Sequence, residues 1–347
     1  MTSSPASAGS ISVGIVGASG FTGAELLRLC ASHPDFNVKV ATADSMAGTA
    51  VADLYPSLAG AWPMLEFEEY SAEKLDGLDL VFAGLPHRAS QQIVAELMDH
   101  VGNVVDLSAD FRLKTPAVYE HWYETPHDVP HLLDRFSYGL PELFRDEVKA
   151  HDHVAVPGCY PTAASLALAP LTRLGLIETE GVIVDAASGA SGAGRAPKPN
   201  TTFNSIDEDF SAYGLLHHRH SPEMEQVIEA QVLFTPHLAP MNRGILATCY
   251  AKPSTTMSTQ ILLDALSDFY ATEPFVVVSE RSPSTKATLG SNACHLTARY
   301  DERTNTIVAI AAIDNLGKGA SGQAVQCANI VRGLPESTGL TIAGLYP

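Results

Sequence analysis

From Ile11 the chain reads ISVGIVGASGFTGAELLRLCASHP: an apolar run of strand character, then closely spaced glycines, then apolar positions at helical spacing. Leu26, Leu27 and Leu29 fall on or beside one helical face and Pro34 stops the helix, so the segment predicts strand, tight turn and helix. A second strand is expected at Val38 to Ala43, a buried strand at Leu78 to Phe82, a helix over Ser90 to Met98 and another strand at Asn103 to Leu107. Strands separated by helices of this length imply βαβ units, a parallel sheet and right-handed crossovers. After about Phe111 the texture changes. Thr115 to Tyr138 is rich in Pro, His, Tyr and Trp, lacks a clean period and is expected to wrap the surface. VAVP is strand-like, Pro161 to Leu174 helical, and Gly181 to Ala187 a strand that runs into SGASGAGRAPKPNTT, too long a loop for a routine connection. A helix from about Ser221, with Ser221 as its N-cap, precedes alternating strands over Gln231 to Lys252. A helix over Gln260 to Tyr270, the strand FVVVS, an antiparallel pair around His295 to Tyr300 and Ile307 to Ile313, and a final helix from about Gly319 complete the pattern.

The length of 347 residues favours two domains, and a hydrophobic share of 46% against 17% charged residues gives ample core material. The formal charge of −18 repels polyanions and makes nucleic acid an unsuitable partner. Ile307 to Ile313, the longest purely apolar run, is far too short to cross a bilayer, and the small polar residues up to about Ser10 read as a disordered tail. Five cysteines at long intervals, with no CxxC pair, fit neither a disulfide framework nor a zinc knuckle and indicate a reduced, cytoplasmic setting.

Three constellations carry chemistry. Gly14, Gly17, Gly20 and Gly23 recur every three residues where a strand enters a helix, and a helix N-terminus offers N–H groups and partial positive charge to a pyrophosphate. The GxxGxxG spacing departs from GxGxxG, so a turn serving packing alone competes with dinucleotide binding. Cys159 follows Pro157-Gly158 at the mouth of an Ala-rich helix, where the helix dipole would lower a thiol pKa; Cys30, Cys249, Cys294 and Cys327 read as buried small hydrophobes. His217-His218-Arg219-His220 offers acid/base and anion-binding groups, with a solvated basic turn as the plain alternative. No metal is expected, because no His/Cys/carboxylate set with ligand spacing stands near. Ser108 to Arg112, Asn315 to Gly319 and His87 follow strand ends, where open α/β sheets place ligand groups.

Taken together and in order, GIVGASGFTGAELLRL, GLPH, VVDLSADFRL, YGLPEL, VPGCYPT, DAASGASGAGR, HRHSPEM and NLGKGASGQAVQ resemble the N-acetyl-gamma-glutamyl-phosphate reductase family of the aspartate-semialdehyde dehydrogenase superfamily. The resemblance implies an α/β, Rossmann-type parallel-sheet domain over residues 11–158 with 319–347, and an α+β substrate and dimerisation domain over residues 159–318. It implies NADPH-dependent reduction of N-acetyl-L-glutamyl 5-phosphate in arginine biosynthesis, with Cys159 as nucleophile and His220, or else His218, as acid/base. The cofactor would rest on Gly17, Ala18, Ser19, Gly20, Phe21, Thr22 and Gly23, with Leu85, Pro86, Ser188, Gly189, Asn315 and Lys318 further along it. Many relatives carry a Ser-Arg pair for a 2′-phosphate; here Asp44 suits a free 2′-hydroxyl, while Ser45 can still hydrogen-bond the phosphate of NADP(H). Ser108, Arg112, Glu142, Arg195 and Arg219 are the implied substrate-binding residues, and a homo-dimer or homo-tetramer is expected. A reductase of aminoadipyl or aspartyl phosphate, a non-redox cysteine hydrolase or acyltransferase using Cys159, and a non-catalytic dinucleotide sensor are the competing readings.

Overall fold

The computed structural model describes residues 10–346, so the expected tail lies, apart from Ser10, outside the described residues. Strands β1 (Ile11–Val16), β2 (Phe36–Thr42), β3 (Leu80–Ala83), β4 (Asn103–Asp106), β5 (Phe136–Tyr138) and β6 (His153–Ala155) form a parallel sheet in the order β2-β1-β3-β4-β6-β5. The inner strands β1, β3 and β4 are buried almost throughout because both faces are covered, whereas β2 at the edge alternates and exposes Asn37 and Lys39. In β3, Leu80 and Phe82 join one core with Leu26 and Leu27 of the helix Phe21–Ser32, while Val81 and Ala83 join another with Val94 and Leu97 of the helix Ala89–Leu97.

The segment expected to wrap the surface is instead partly built into this domain. It contains the helix Pro116–Tyr123 and the edge strand β5, and Tyr119, Leu133, Phe136 and Tyr138 are buried. Tyr119 stacks on Tyr123 and meets His127 edge-on, while Phe136 stacks on Phe111, and a core assembled from rings has no helical or strand period to betray it.

Strands β7 (Val182–Ser188), β8 (Ser211–Ala212), β9 (Val232–Leu238), β10 (Ile245–Ala251), β11 (Val276–Val278), β12 (Cys294–Asp301) and β13 (Thr306–Ile313) form a mixed sheet ordered β11-β12-β13-β10-β7-β9-β8. The helix Cys159–Arg173 covers its inner face, where Ala163, Ala164 and Ala167 allow close approach to Val184, Ala247 and Ala309. The opposite face carries Ile183, Leu246, Tyr250, Val308 and Ile310 only partly covered, with Leu233 half exposed. The final helix begins at Gly322 rather than Gly319, because residues 317–321 make one wide π-type turn; Ala324, Val325 and Ala328 of the helix Gly322–Val331 return to the core of the parallel sheet. Among the described residues no helix is long and apolar enough to cross a membrane.

Candidate active site

In the parallel sheet β1 lies between β2 and β3, so the crevice at the ends of β1 and β3 is a topological switch point. Gly17 and Gly84 follow those two strands and touch. Gly17 has φ +79°, and a Cβ on it would lie 2.4 Å from the Gly84 carbonyl oxygen; a Cβ on Gly23 would lie 2.5 Å from the Ala18 backbone. The turn therefore requires glycine at both places. The helix Phe21–Ser32 starts at Gly20 with no side-chain cap and no acidic residue in its first turn, which leaves its N–H groups for an anionic ligand. This cradle fits a dinucleotide diphosphate.

A cavity of about 330 Å³ runs from this turn to the catalytic candidates, lined by Gly20, Phe21, Thr22, Leu85, Pro86, Arg112, Cys159, Arg195, His220 and Asn315 among others. A larger one of about 900 Å³ adjoins it, with Ser108, Ser188, Gly189, His218 and Arg219 in its wall. Cys159, His220, Arg195, Leu85 and Pro86 belong to both walls, so the two cavities meet at the thiol.

Cys159 opens the helix Cys159–Arg173, directly after Gly158. Two glycines make room around it. A Cβ on Gly158 would lie 2.4 Å from His220 Nε2, and one on Gly319 would lie 2.9 Å from the Cys159 Cβ. The expectation of a thiol acidified by the helix start needs correction: burial pushes the Cys159 thiol up to about 11, outweighing the Arg112 guanidinium and the backbone N–H groups that favour thiolate. The other four cysteines are free and buried.

His220, not Ser221, takes the N-cap position of the helix Ser221–Ile228; Ser221 is its buried first residue and caps nothing. The His220 N–H donates to His218 Nδ1 at 3.2 Å and the two rings are 4.7 Å apart. Burial, with His218 and Arg112 beside it, drives His220 well below the usual histidine range, and burial with Arg219 takes His218 down to about 4. Both imidazoles are therefore neutral at pH 7. His220 Nδ1 is buried without a partner.

Glu223, in the first turn of the same helix, closes the run from His217, but its residue type alone gives it no role. It is buried and accepts from Gly158 N–H (2.7 Å), Tyr138 Oη (2.8 Å) and Arg112 Nη1 (3.4 Å), so it fixes the bend before Cys159 and neutralises Arg112. Arg112 also donates to Val156 O and Leu107 O, which aims the guanidinium into the smaller cavity. Tyr213 belongs to no motif, yet its hydroxyl donates to Tyr160 Oη at 3.1 Å in the wall of the larger cavity.

Some expected site residues stand away from the cavities, and others line them but are committed to protein partners. Lys318 and Glu142 line neither cavity: they form a fully buried pair with Nζ to Oε1 2.7 Å, and Gln326 serves both. An ammonium and a carboxylate removed from water need each other, so neither is aimed at a ligand. Arg195, expected with the substrate, reaches the glycine turn and donates from Nε to Ser19 O at 2.7 Å. The Ser108 hydroxyl is committed to Asp106 Oδ2 at 2.6 Å. Arg219 is exposed, donates to the His87 ring and lies over Tyr123, 5.2 Å from its centroid. Asn315 holds the loop after β7, donating to Ser191 Oγ at 2.9 Å. Ser45 is exposed on the turn after β2, and the neighbouring Asp44 carboxylate accepts from Tyr70 N–H at 3.2 Å. Among the described residues no group of three or more His, Cys, Asp or Glu is arranged to hold a metal ion.

A glycine-turn crevice joined to a partly buried thiol and neutral imidazoles defines a dinucleotide-binding semialdehyde dehydrogenase. Residues 12–151 match the family model described as semialdehyde dehydrogenase, NAD binding domain, and residues 159–315 the one described as semialdehyde dehydrogenase, dimerisation domain. The fold is similar to aspartate semialdehyde dehydrogenase II of Vibrio cholerae, with TM-score 0.68, 14% identity and 94% of this chain and 99% of that one covered. More specifically, the chain belongs to the N-acetyl-gamma-glutamyl-phosphate reductase family. It is 46% identical to the member from Symbiobacterium thermophilum over 97% of this chain and 99% of that one, and 44% identical to that from Acetivibrio thermocellus over 96% and 99%.

Proposed function

We propose that the protein reduces N-acetyl-L-glutamyl 5-phosphate to N-acetyl-L-glutamate 5-semialdehyde with NADPH, releasing phosphate, as a step of arginine biosynthesis in the cytoplasm. The observation that carries this reading is the meeting of the glycine-turn cavity with Cys159, His220 and Arg112 in one wall. The turn from Gly17 to Gly23 would hold the dinucleotide diphosphate, Leu85, Pro86 and Asn315 the nicotinamide end, and Ser45 a 2′-phosphate. Arg195, anchored on the turn, belongs on this side rather than with the substrate.

Neutral His220 takes the thiol proton as Cys159 attacks the acyl carbon. A C–S bond forms, the C–O bond to phosphate breaks, and the proton passes to the departing phosphate. Proton transfer of this kind contributes roughly 10²- to 10⁴-fold. Arg112, held rigidly by Glu223 and two carbonyls, pairs with the phosphate through its remaining N–H groups. The nicotinamide, when bound, supplies the hydride that the thioester carbon needs. Collapse of the resulting thiohemiacetal alkoxide on Cys159 then breaks the C–S bond and forms the aldehyde and the thiolate, and a solvent proton relayed by His220 restores the thiol. A tyrosine pair, Tyr213 on Tyr160, and the Arg219–His87 contact bound the larger cavity, where the acetamido acid end of the substrate would lie.

The uncovered face of the seven-stranded sheet, with Ile183, Leu246, Tyr250, Val308 and Ile310, is the surface on which a second copy would pack, consistent with the family description of residues 159–315. Incubation with N-acetylglutamate semialdehyde, phosphate and NADP should generate reduced-cofactor absorbance. No signal beside turnover of aspartate semialdehyde or of an aminoadipate semialdehyde would overturn the substrate assignment. Cys159→Ser should lose turnover and retain NADP binding.

A further inference from the structure

Three segments that line the cavities are tied together behind them by a turn that lines neither, residues 241–244 between β9 and β10. Its carbonyls hold the loop after β7: Gly189 N–H donates to Gly244 O (2.9 Å), Ala190 N–H to Met241 O (2.8 Å) and Ser191 N–H to Asn242 O (3.1 Å). Its Gly244 N–H donates to Asn315 Oδ1 at 2.7 Å. Its Arg243 guanidinium lies between two carboxylates: Asp314, which it pairs, and Glu25, which it shares with Arg28 of the same helix as Glu25. Nε and Nη2 each reach Asp314 at 2.9 Å, while Nη2 and Nη1 reach Glu25 at 2.9 and 3.1 Å. Asp314 is fully buried and Glu25 is 4% exposed.

The two carboxylates serve opposite walls. Glu25 sits on the helix Phe21–Ser32, whose start meets the dinucleotide in the reading above. Asp314 accepts Leu316 N–H and Gly317 N–H at 2.9 Å each and Gly290 N–H at 2.6 Å, which shapes the segment whose Gly319 rests on Cys159. A planar guanidinium has enough fixed donors to serve both carboxylates at once, whereas an ammonium is a point charge. Without the Arg243 cation, buried Asp314 loses its ion-pair partner and Glu25 is left with Arg28 on its own helix, so the ionic link between the two walls is lost.

We propose that Arg243 is a positioning residue of the reduction: through Glu25 and Asp314 it holds the cofactor-binding helix in register with Cys159. The proposal rests on the cofactor site assigned under Proposed function. Arg243→Gln, Arg243→Lys and Glu25→Gln in the full chain test it, with NADPH affinity by fluorescence titration, kcat, KM for the acyl phosphate, and thermal unfolding. Because misplacement of about 1 Å costs on the order of 10²-fold in rate, Arg243→Gln should weaken NADPH binding about tenfold or more and lower kcat similarly, leaving KM for the acyl phosphate within about threefold. Arg243→Lys should recover part of both losses. Glu25→Gln cuts the same link at the cofactor helix, so it should weaken NADPH binding and lower kcat in the same direction as Arg243→Gln, leaving KM for the acyl phosphate within about threefold.

Wild-type NADPH affinity and kcat in Arg243→Gln, with only a lower Tm, would reduce Arg243 to a structural residue and overturn the proposal. If that variant does not fold, wild-type values in both Arg243→Lys and Glu25→Gln overturn it equally. A parent protein that binds NADPH yet leaves N-acetylglutamyl phosphate untouched would sink the substrate reading alone, with the affinity comparison still decisive here. A parent protein that binds no nicotinamide dinucleotide would end both.

Discussion

Alkylation of Cys159 in the free enzyme tests the chemistry of the thiol most directly. Burial pushes it up to about 11 against the pull of Arg112 and the backbone N–H groups of Tyr160 and Cys159. At pH 7 the thiolate fraction is then about 10⁻⁴, compared with roughly 3% for a free cysteine of pKa ≈ 8.5. That is a deficit of about 300-fold. A more basic thiolate is also a better nucleophile, and a Brønsted coefficient of ≈ 0.4–0.5 over about 2.5 pKa units offsets about 10- to 20-fold of it. Iodoacetamide should therefore modify Cys159 about 20-fold more slowly than free cysteine at pH 7, with the logarithm of the rate rising at unit slope toward pH 11. Turnover should not follow that profile, because neutral His220 removes the proton only as attack occurs. A plateau in the alkylation rate below pH 8 would mean a preformed thiolate–imidazolium pair and would refute the reasoning.

Gly158→Ala places a methyl 2.4 Å from His220 Nε2, so the imidazole must move; kcat should fall by about 10²-fold with cofactor affinity unchanged, checked by steady-state kinetics and NADPH titration. Glu223→Gln removes the anion beside buried Arg112 and turns an amide N–H toward a donor; a loss of about 3–5 kcal/mol is expected in denaturant unfolding. Glu25 titrates with a defined sign: burial raises its carboxyl, but Arg28 and Arg243 outweigh burial and bring it to about 2 from 4.5. Its stabilisation, about 3 kcal/mol, is present above pH 4.5 and is lost as pH falls toward 2, so Glu25→Gln should flatten the acid limb of the stability curve.

Much of the fold was legible because local physics sets it. The alternation of apolar runs with helical spacing located the βαβ units from β1 to β4, and the glycine spacing marked the turn where Gly17 must take φ +79°. The bend before Cys159 was legible for the same reason, since Pro157-Gly158 at a helix start dictates local geometry. The aromatic segment from Thr115 to Tyr138 was not, because ring packing among Tyr119, Tyr123, His127 and Phe136 follows no sequence period.

The sequence by itself determined the chemical vocabulary: a dinucleotide turn, one thiol at a helix mouth, a histidine cluster, and small residues where chains approach closely. Only the tertiary structure decided which of these groups face one another. His220 rather than His218 lies against Gly158; Arg195 turns to Ser19; Lys318 and Glu142 neutralise each other out of reach of any ligand; and Arg243, an isolated residue between two strands, joins Glu25 to Asp314. The physical reason is that propensity and spacing act over a few residues, whereas pairing charges out of water depends here on contacts between positions 71 to 218 residues apart, and these exist only once both sheets have packed.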